Sequence, residues 1–448
     1  MEAIHDLRSF IAVIEKAGQF TEIKKPVKIV HELANVAAAM ARQDKGAVLF
    51  SQPVGATMPV FTGAVASQKL AALALGCSLN EVSDFMGRVL DPANGIAPIR
   101  VGEAAWKENV ITGEDVDLAM LPIPTHGKHD GGPFITGGVT VTKDPVSGRG
   151  NLSYNRMQVL GKRELGFNMN EWRHTMKFYK NQESKNEPLQ VAIAIGLDPA
   201  IMIAAGARSD DDELRIAGAI RGRGTPVCKG VTVDIDIPAE AEIVLEGYLP
   251  PQERHPEGPL AEFHGYYGEP WQMPVFHVTA ICHRNKPIFQ TIVAGASEHI
   301  YIGNVLPREP LLLKFVRHVS ANITGVHVPP YGNGFVSIVQ LKKNNPGEPK
   351  NVAMAAFTSH VNNKLVIVID PDVNLYDPAD ILWALNNRVD WSRDIFLVQG
   401  SQGHEMDPVS DTRGVQTKIG IDATYKEERR PYGERIVYPD IDLTEYLS

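Results

Sequence analysis

The sequence predicts a mixed α/β protein in three parts: an α/β unit over residues 1–110, a β-rich barrel or sandwich over 111–306, and a second α/β unit over 307–448. Helical periodicity alternates with short apolar runs at the start, strand pairs joined by turns fill the middle, and uninterrupted apolar runs separate helical stretches at the end. A chain of 448 residues, 44% of them hydrophobic, is long enough for two or three such cores.

In the first unit "LRSFIAVIEKAG" and "IVHELANVAAAMARQ" carry the helical period, and "GAVLFSQPVG" reads as a strand. "ITGEDVDLAMLPIPTHGKHDGGPF" is rich in Pro and Gly and reads as a connector at the domain boundary. Next, "FITGGVTVTKD" and "NLSYNRMQVLG" are strand-like runs joined by the turn "PVSGRG". "VCKGVTVDIDIP", "AEIVLEGYL" and "MPVFHVTAICHRNKPIFQTIVAG" follow, the last with a turn at Arg284 to Pro287, so successive hairpins are expected. Helices interrupt them at "DPAIMIAAGA" and at "SDDDELRIAGAIRG", where Ser209 or an early Asp can cap. In the third unit "FVSIVQL", "KLVIVID" and "DIFLVQG" read as strands buried on both faces, with "KNVAMAAFTSHV" and "PADILWALNNRV" as helices between them. That pattern predicts a βαβαβ sheet, followed by a polar tail that wraps over another part of the molecule or a second subunit.

A net charge of -9 argues against nucleic acid or an anionic membrane as partner and favours a small-molecule substrate. The sequence has no apolar run of about 18 residues and no signal-like start, so a soluble, cytoplasmic protein is expected. Cys77, Cys228 and Cys282 are odd in number, far apart and without zinc spacing, and read as ordinary thiols.

Chemistry concentrates in "ERHPEGPLAEFHGYYG", from Glu253 to Gly268. Gly258 and Pro259 exclude a regular helix, so Glu257 and Glu262 share a loop suited to acid/base work, or form no more than a solvated acidic turn. Arg156 interrupts a core-like strand and is either solvated or paired with an anion. Its odd separation from Asn151 puts the two on opposite faces of an ideal strand, so a joint site needs a bulge or a strand end. His174 reads as a metal ligand, a cofactor contact or a structural histidine, and Glu213 as a helix first-turn residue. Together Asn151, His174 and Glu213 form an oxygen-rich set suited to Mg or Mn rather than zinc. GxxxxGK[ST], strand-linked GxGxxG, GxSxG and HExxH are all missing.

In order, "NLSYNRMQVLGK", "DELRIAGAIRG", "IPAEAEIVLEG", "HPEGPLAEFHGYYG" and "TKIGIDAT" resemble the UbiD family of reversible decarboxylases that use prenylated FMN. The resemblance implies a central split β-barrel of flavin-reductase type that holds the cofactor, and a C-terminal α/β domain used in oligomerisation. It implies that Asn151, His174 and Glu213 bind a Mn ion bridging to the cofactor phosphate, with a potassium ion nearby. Some members carry Gly at the position of His174. Tyr154, Asn155 and Arg156, Asn168, Met169 and Asn170, and Arg173 with His174 fall in the family's cofactor-contacting segments; Lys418 is a further contact from the tail.

By the same resemblance Arg156, Glu257 and Glu262 form a Glu-Arg-Glu network. Arg156 orients the substrate carboxylate, Glu262 delivers the proton that replaces CO2, and Glu257 holds Arg156. Such a donor needs a pKa raised by burial and by a neighbouring carboxylate. A covalent adduct with the cofactor stabilises the carbanion-like centre, which side chains do poorly. A separate flavin prenyltransferase is then needed as supplier, and a homodimer or higher homo-oligomer is expected. His299, Asn304 and Arg308, in "GASEHIYIGNVLPREP", offer polar groups to a ring heteroatom or second carboxylate. The expected substrate is furan-2-carboxylate or 2,5-furandicarboxylate, with hydroxybenzoate as the alternative. Two other classes compete: a metal-dependent hydrolase working through Asn151, His174 and Glu213, and a non-catalytic flavin-binding subunit.

Overall fold

The computed structural model describes residues 4–171, 173–207, 209, 211–411, 413–429, 435, 436, 438 and 441–446. Helix α1 (Leu7–Lys16) starts at Asp6, whose carboxylate accepts the Ser9 N–H, while the Ser9 hydroxyl accepts from the Asp6 N–H. Its apolar spacing buries Leu7, Phe10 and Ile14 on one face. Strands β1 (Phe20–Ile23), β2 (Ala47–Phe50) and β3 (Val60–Thr62) form a small sheet, flanked by α2 (Glu32–Arg42), α3 (Gln68–Leu75) and α4 (Val82–Val89).

The central part is one curled, antiparallel sheet. Its strands are β4 (Asn109–Thr112), β5 (Phe134–Ile135), β6 (Val139–Lys143), β7 (Gly150–Tyr154), β8 (Met157–Val159), β9 (Glu164–Phe167), β10 (Leu189–Ile195), β11 (Ile243–Leu249), β12 (Arg254–Glu257) and β13 (Trp271–His283). They run in the order β7-β6-β10-β11-β13-β9-β8-β5, with β4 and β12 also paired to β13. Helices α5 (His174–Glu183), α6 (Pro199–Gly206) and α7 (Glu213–Arg221) pack on it. Asp212, rather than Ser209, caps α7 by accepting the Leu214 N–H. Loss of such a cap costs about 1 kcal/mol.

The turn at Arg284 to Pro287 does not close a hairpin. Beyond it β14 (Phe289–Gln290) leaves β13 and pairs in parallel with β3, tying the central part to the first sheet. Arg284 is held there by Asp6 and Glu242, and Arg8 grips Glu242 from α1.

After α8 (Ser297–Ile300), α9 (Leu306–Val319) leads into a second sheet. Its strands are β15 (Ile323–His327), β16 (Val336–Leu341), β17 (Leu365–Ile369), β18 (Ile395–Gln402) and β19 (Val415–Asp422), with α10 (Glu348–Ser359) and α11 (Pro378–Arg388) between them. The order β15-β16-β17-β19-β18 corrects the expected βαβαβ unit. β16 and β17 are parallel as expected, but "DIFLVQG" forms β18, an antiparallel strand at the sheet edge with Leu397 exposed. The third parallel position belongs to β19, from the stretch expected to be a polar tail. Gln416 and Lys418 are buried in it, which hides its strand character, and Gly420 leaves room for the Phe396 ring: a Cβ there would meet the ring at 2.2 Å. Among the described residues no helix is long and apolar enough to cross a membrane.

Candidate active site

A cavity of about 770 Å3 opens where the central sheet, α5, α6 and α7 meet the loop after β18. β7 ends at Tyr154 and β8 starts at Met157, so Asn155 and Arg156 fall in the break between two strands. That break resolves the facing problem, and both Asn151 and Arg156 line the cavity.

Arg156 is clamped between the two acids. Its Nε and Nη2 donate to the two oxygens of Glu257 at 2.9 and 3.0 Å, and its Nη1 is in close contact with Glu262. Glu257 is fully buried behind the arginine, at 0% side-chain exposure, and also accepts from the Asn168 amide at 2.7 Å. Glu262 reaches the cavity and remains 12% exposed. Burial pushes its carboxyl above the ordinary range and Glu257 adds to this, while Arg156 opposes it. The arrangement therefore pins one carboxylate to the arginine and leaves the other, its pKa raised, facing the cavity.

Asn151, His174 and Glu213 converge from β7, α5 and α7 on the same cavity. Asn151 Oδ1 lies 3.0 Å from His174 Nδ1. An amide oxygen only accepts, so in this contact Nδ1 is the donor. Glu213 accepts the Leu152 N–H at 2.8 Å. Burial raises its pKa to about 7, so it is a carboxylate that a cation would stabilise. Among the described residues no group of three His, Cys, Asp or Glu could hold a metal ion.

Tyr154, Asn155, Asn168, Asn170 and Arg173 also line the cavity. The Tyr154 hydroxyl is buried without a hydrogen-bond partner among the described residues. Arg173 stands at the start of α5, where backbone N–H groups favour an anion. This donor set, with apolar lining from Leu152, Ala205, Ile292 and Ile302, fits a flat ring system carrying a phosphate. Met169 is placed differently: its side chain is buried in the apolar core.

His299 lines the cavity, and burial together with Arg156 lowers its pKa to about 4. Its Nδ1 accepts the Gly295 N–H at 3.2 Å, so the neutral ring carries its proton on Nε2. Asn304 and Arg308 are not in the cavity wall. Arg308 is buried in the C-terminal part, donating to Asn304, the Gly334 carbonyl and Asn363, which satisfies a buried charge rather than offering it to a ligand. Lys418 is likewise turned away. Its Nζ lies 3.3 Å from the carbonyls of Phe357 and Val361, and burial lowers its pKa to about 8.

Sequence reasoning missed the wall formed by Gln402 to Met406, including His404 and Glu405. The available signal was "GSQGHEMD", a glycine-flanked histidine directly after an apolar strand. Phe263, next to Glu262, packs edge-on to both His299 and His404, with centroids 6.3 and 6.1 Å apart.

Comparison with known proteins accords with this geometry. Family models described as the N-terminal, Rift-related and C-terminal domains of 3-octaprenyl-4-hydroxybenzoate carboxy-lyase match residues 11–89, 99–297 and 301–423. The UbiD-class enzyme HmfF from Pelotomaculum thermopropionicum, solved with FMN, is 36% identical, with 99% of this chain and 100% of that chain covered and a TM-score of 0.93. An evolved dimeric form of that enzyme, solved with prFMN, is 34% identical over 99% of this chain and 100% of that chain, with a TM-score of 0.89. The 3,4-dihydroxybenzoic acid decarboxylase from Enterobacter cloacae, in its apo form, is 31% identical over 100% and 99% of the two chains, with a TM-score of 0.93.

Proposed function

Since the chain belongs to the UbiD family and is a carboxy-lyase, we propose that it decarboxylates a small aromatic or heteroaromatic acid, furan-2-carboxylate or 2,5-furandicarboxylate first, with prenylated FMN as cofactor. The observation that carries this reading is Arg156 held between buried Glu257 and cavity-facing Glu262.

Arg156 binds and orients the substrate carboxylate. Glu257 keeps the guanidinium fixed, so the arginine meets the anion without reorganising. Glu262, its pKa raised by burial, gives its proton to the ring carbon that loses CO2 and then regains one from solvent. His299 stays neutral and offers its Nε2–H to a ring heteroatom or second carboxylate. A substrate lacking such a group leaves that donor unpaired, which disfavours purely apolar tails.

Tyr154, Asn170 and Arg173 would hold the flavin mononucleotide, and Asn151, His174 and Glu213 a Mn ion at its phosphate; potassium nearby completes the proposal. The cofactor supplies the electron sink for the carbanion-like centre. A flavin prenyltransferase is the implied supplier. The similarity to HmfF supports the furan acids, and that to the dihydroxybenzoate enzyme supports hydroxybenzoate as second choice. Exposed Leu397, Val415 and Ile419 on β18 and β19 support homo-oligomerisation through the C-terminal sheet.

The test is mass spectrometry of the cofactor from protein co-expressed with a flavin prenyltransferase, then incubation with furan, hydroxybenzoate and cinnamate acids. Prenylated FMN with CO2 release from a furan acid is the expected result. Folded protein that binds no flavin would overturn the proposal.

A further inference from the structure

The stretch His126–Gly131 reads in sequence as part of a connector, yet it is bonded repeatedly to the loop that carries the two acids. The Gly131 N–H donates to the Pro259 carbonyl at 2.8 Å. One Asp130 oxygen accepts the Ala261 N–H at 3.3 Å, and the other accepts the His126 and Gly127 N–H groups at 3.0 and 2.6 Å. The Tyr267 hydroxyl accepts the His129 N–H at 3.3 Å. Gln158, on β8, links both segments: its Oε1 accepts the Gly258 N–H and its Nε2 donates to the Gly131 carbonyl, each at 2.8 Å.

The approach is close enough to require glycine. A Cβ on Gly131 would lie 2.4 Å from the Gly258 carbonyl oxygen, and one on Gly127 would lie 2.6 Å from the Tyr267 hydroxyl. Gly131 does not adopt a positive φ, so steric contact rather than backbone strain selects glycine there. Glu262, by comparison, donates its N–H to the Tyr266 carbonyl of its own loop. The position of its carboxyl over the cavity therefore depends on what grips residues 258 to 261 beside it.

We propose that His126–Gly131, together with Gln158, is a brace that sets where the Glu262 carboxyl stands relative to Arg156, with Asp130 and Gln158 as positioning residues. The inference rests on the reading of Glu262 as proton donor. Movement of an acid by about 1 Å from its working place costs up to roughly a hundredfold in rate. Gly131→Ala drives a wedge against the Gly258 carbonyl. Gln158→Met keeps the side-chain length and removes both of its hydrogen bonds.

The experiment compares wild type, Gly131→Ala, Gln158→Met and Glu262→Gln, each loaded with cofactor by co-expression with the prenyltransferase, on an acid that the wild type decarboxylates. The expected result is a fall in kcat of roughly ten- to hundredfold in both brace variants, with KM within about twofold and wild-type cofactor content. Should Gly131→Ala fail to fold or to bind flavin, Gln158→Met decides by the same split. Wild-type kcat in Gln158→Met, with Glu262→Gln inactive, would overturn the brace while leaving the donor in place. A proportional change in KM would also overturn it, since that marks a deformed cavity. Full turnover in Glu262→Gln would instead remove the donor role, and with it the brace's purpose.

Discussion

Glu257→Gln is the most informative perturbation of the proposed catalytic cluster, because it removes a carboxylate while keeping the side chain's size and shape. In the wild type the two Glu257 oxygens accept from Arg156 Nε, Arg156 Nη2 and Asn168 Nδ2. A glutamine has one acceptor. Placed where it serves Nη2 and Asn168, it turns its NH2 toward the Arg156 Nε–H, donor against donor. Each charge-assisted hydrogen bond lost is worth about 1.5–3 kcal/mol, and removing one member of a buried ion pair costs about 3–5 kcal/mol. Glu262 remains beside Arg156, so the lower end applies, about 3 kcal/mol. In a unit of about 200 residues that lowers the unfolding midpoint by roughly 6–12 °C, read by circular dichroism on flavin-free protein. Adding Arg156→Met should return part of the loss, because the Nε–H set against the glutamine NH2 is then gone. Glu262 should respond as well: without Glu257 to raise its pKa, the pull of Arg156 lowers it, and the alkaline limb of the activity profile moves to lower pH. A midpoint within about 1 °C of wild type would refute the claim that Glu257 is what holds the arginine.

Three further outcomes follow from the structure. His299→Ala should cost roughly ten- to hundredfold on acids carrying a ring heteroatom or second carboxylate and much less on cinnamate; an equal loss on all would deny it a part in selectivity. Arg308→Met should destabilise the chain by about 2–4 kcal/mol in urea, by leaving the Gly334 carbonyl without this donor and taking one donor each from Asn304 and Asn363, yet leave the order of preference among acids unchanged. Burial raises the Glu298 pKa from 4.5 to about 7, against hydrogen bonds from Gly63, Val65 and Thr62 that lower it. The folded state thus holds the proton longer than the unfolded, so this group's contribution is full below 4.5 and is lost as pH rises through about 7, about 3 kcal/mol in all. Urea midpoints from about pH 5 to 8 should therefore fall more steeply for wild type than for Glu298→Gln, and parallel curves would contradict this assignment.

The parts of the fold that the sequence exposes are those whose burial follows a simple period. α1 shows its Leu7, Phe10 and Ile14 stripe, and β16 and β17 show continuous apolar runs, because each is buried by its neighbours in a regular way. β19 was hidden for the opposite reason. It places Gln416 and Lys418 inside, and their polar ends are masked from water by the rest of the C-terminal part, a tertiary fact without local trace. The turn at Arg284 to Pro287 was legible as a turn, but not the destination of the strand after it. Parallel pairing of Phe289 and Gln290 with Val60 and Phe61 joins residues more than 200 positions apart, and short strands carry no partner label.

The candidate site divides along the same line. Arg156, Glu257 and Glu262 stood out as charges in apolar or glycine-proline surroundings, since an ionised group is expensive wherever burial is expected. Asn304 and Arg308 offer polar groups in the same stretch as His299, and Lys418 enters only through the family resemblance, yet the structure answers the charges of Arg308 and Lys418 with amides and carbonyls of the C-terminal part. What separates the two sets is the remaining capacity of the counter-groups. Arg308 turns Nη1 and Nη2 to amide and carbonyl oxygens away from the cavity, whereas Arg156 meets two carboxylates, one of them reaching a cavity with its pKa raised. An excess of acid over base around one arginine, open on one side, is what the proposed proton transfer would draw on, and only the assembled geometry shows on which side it opens.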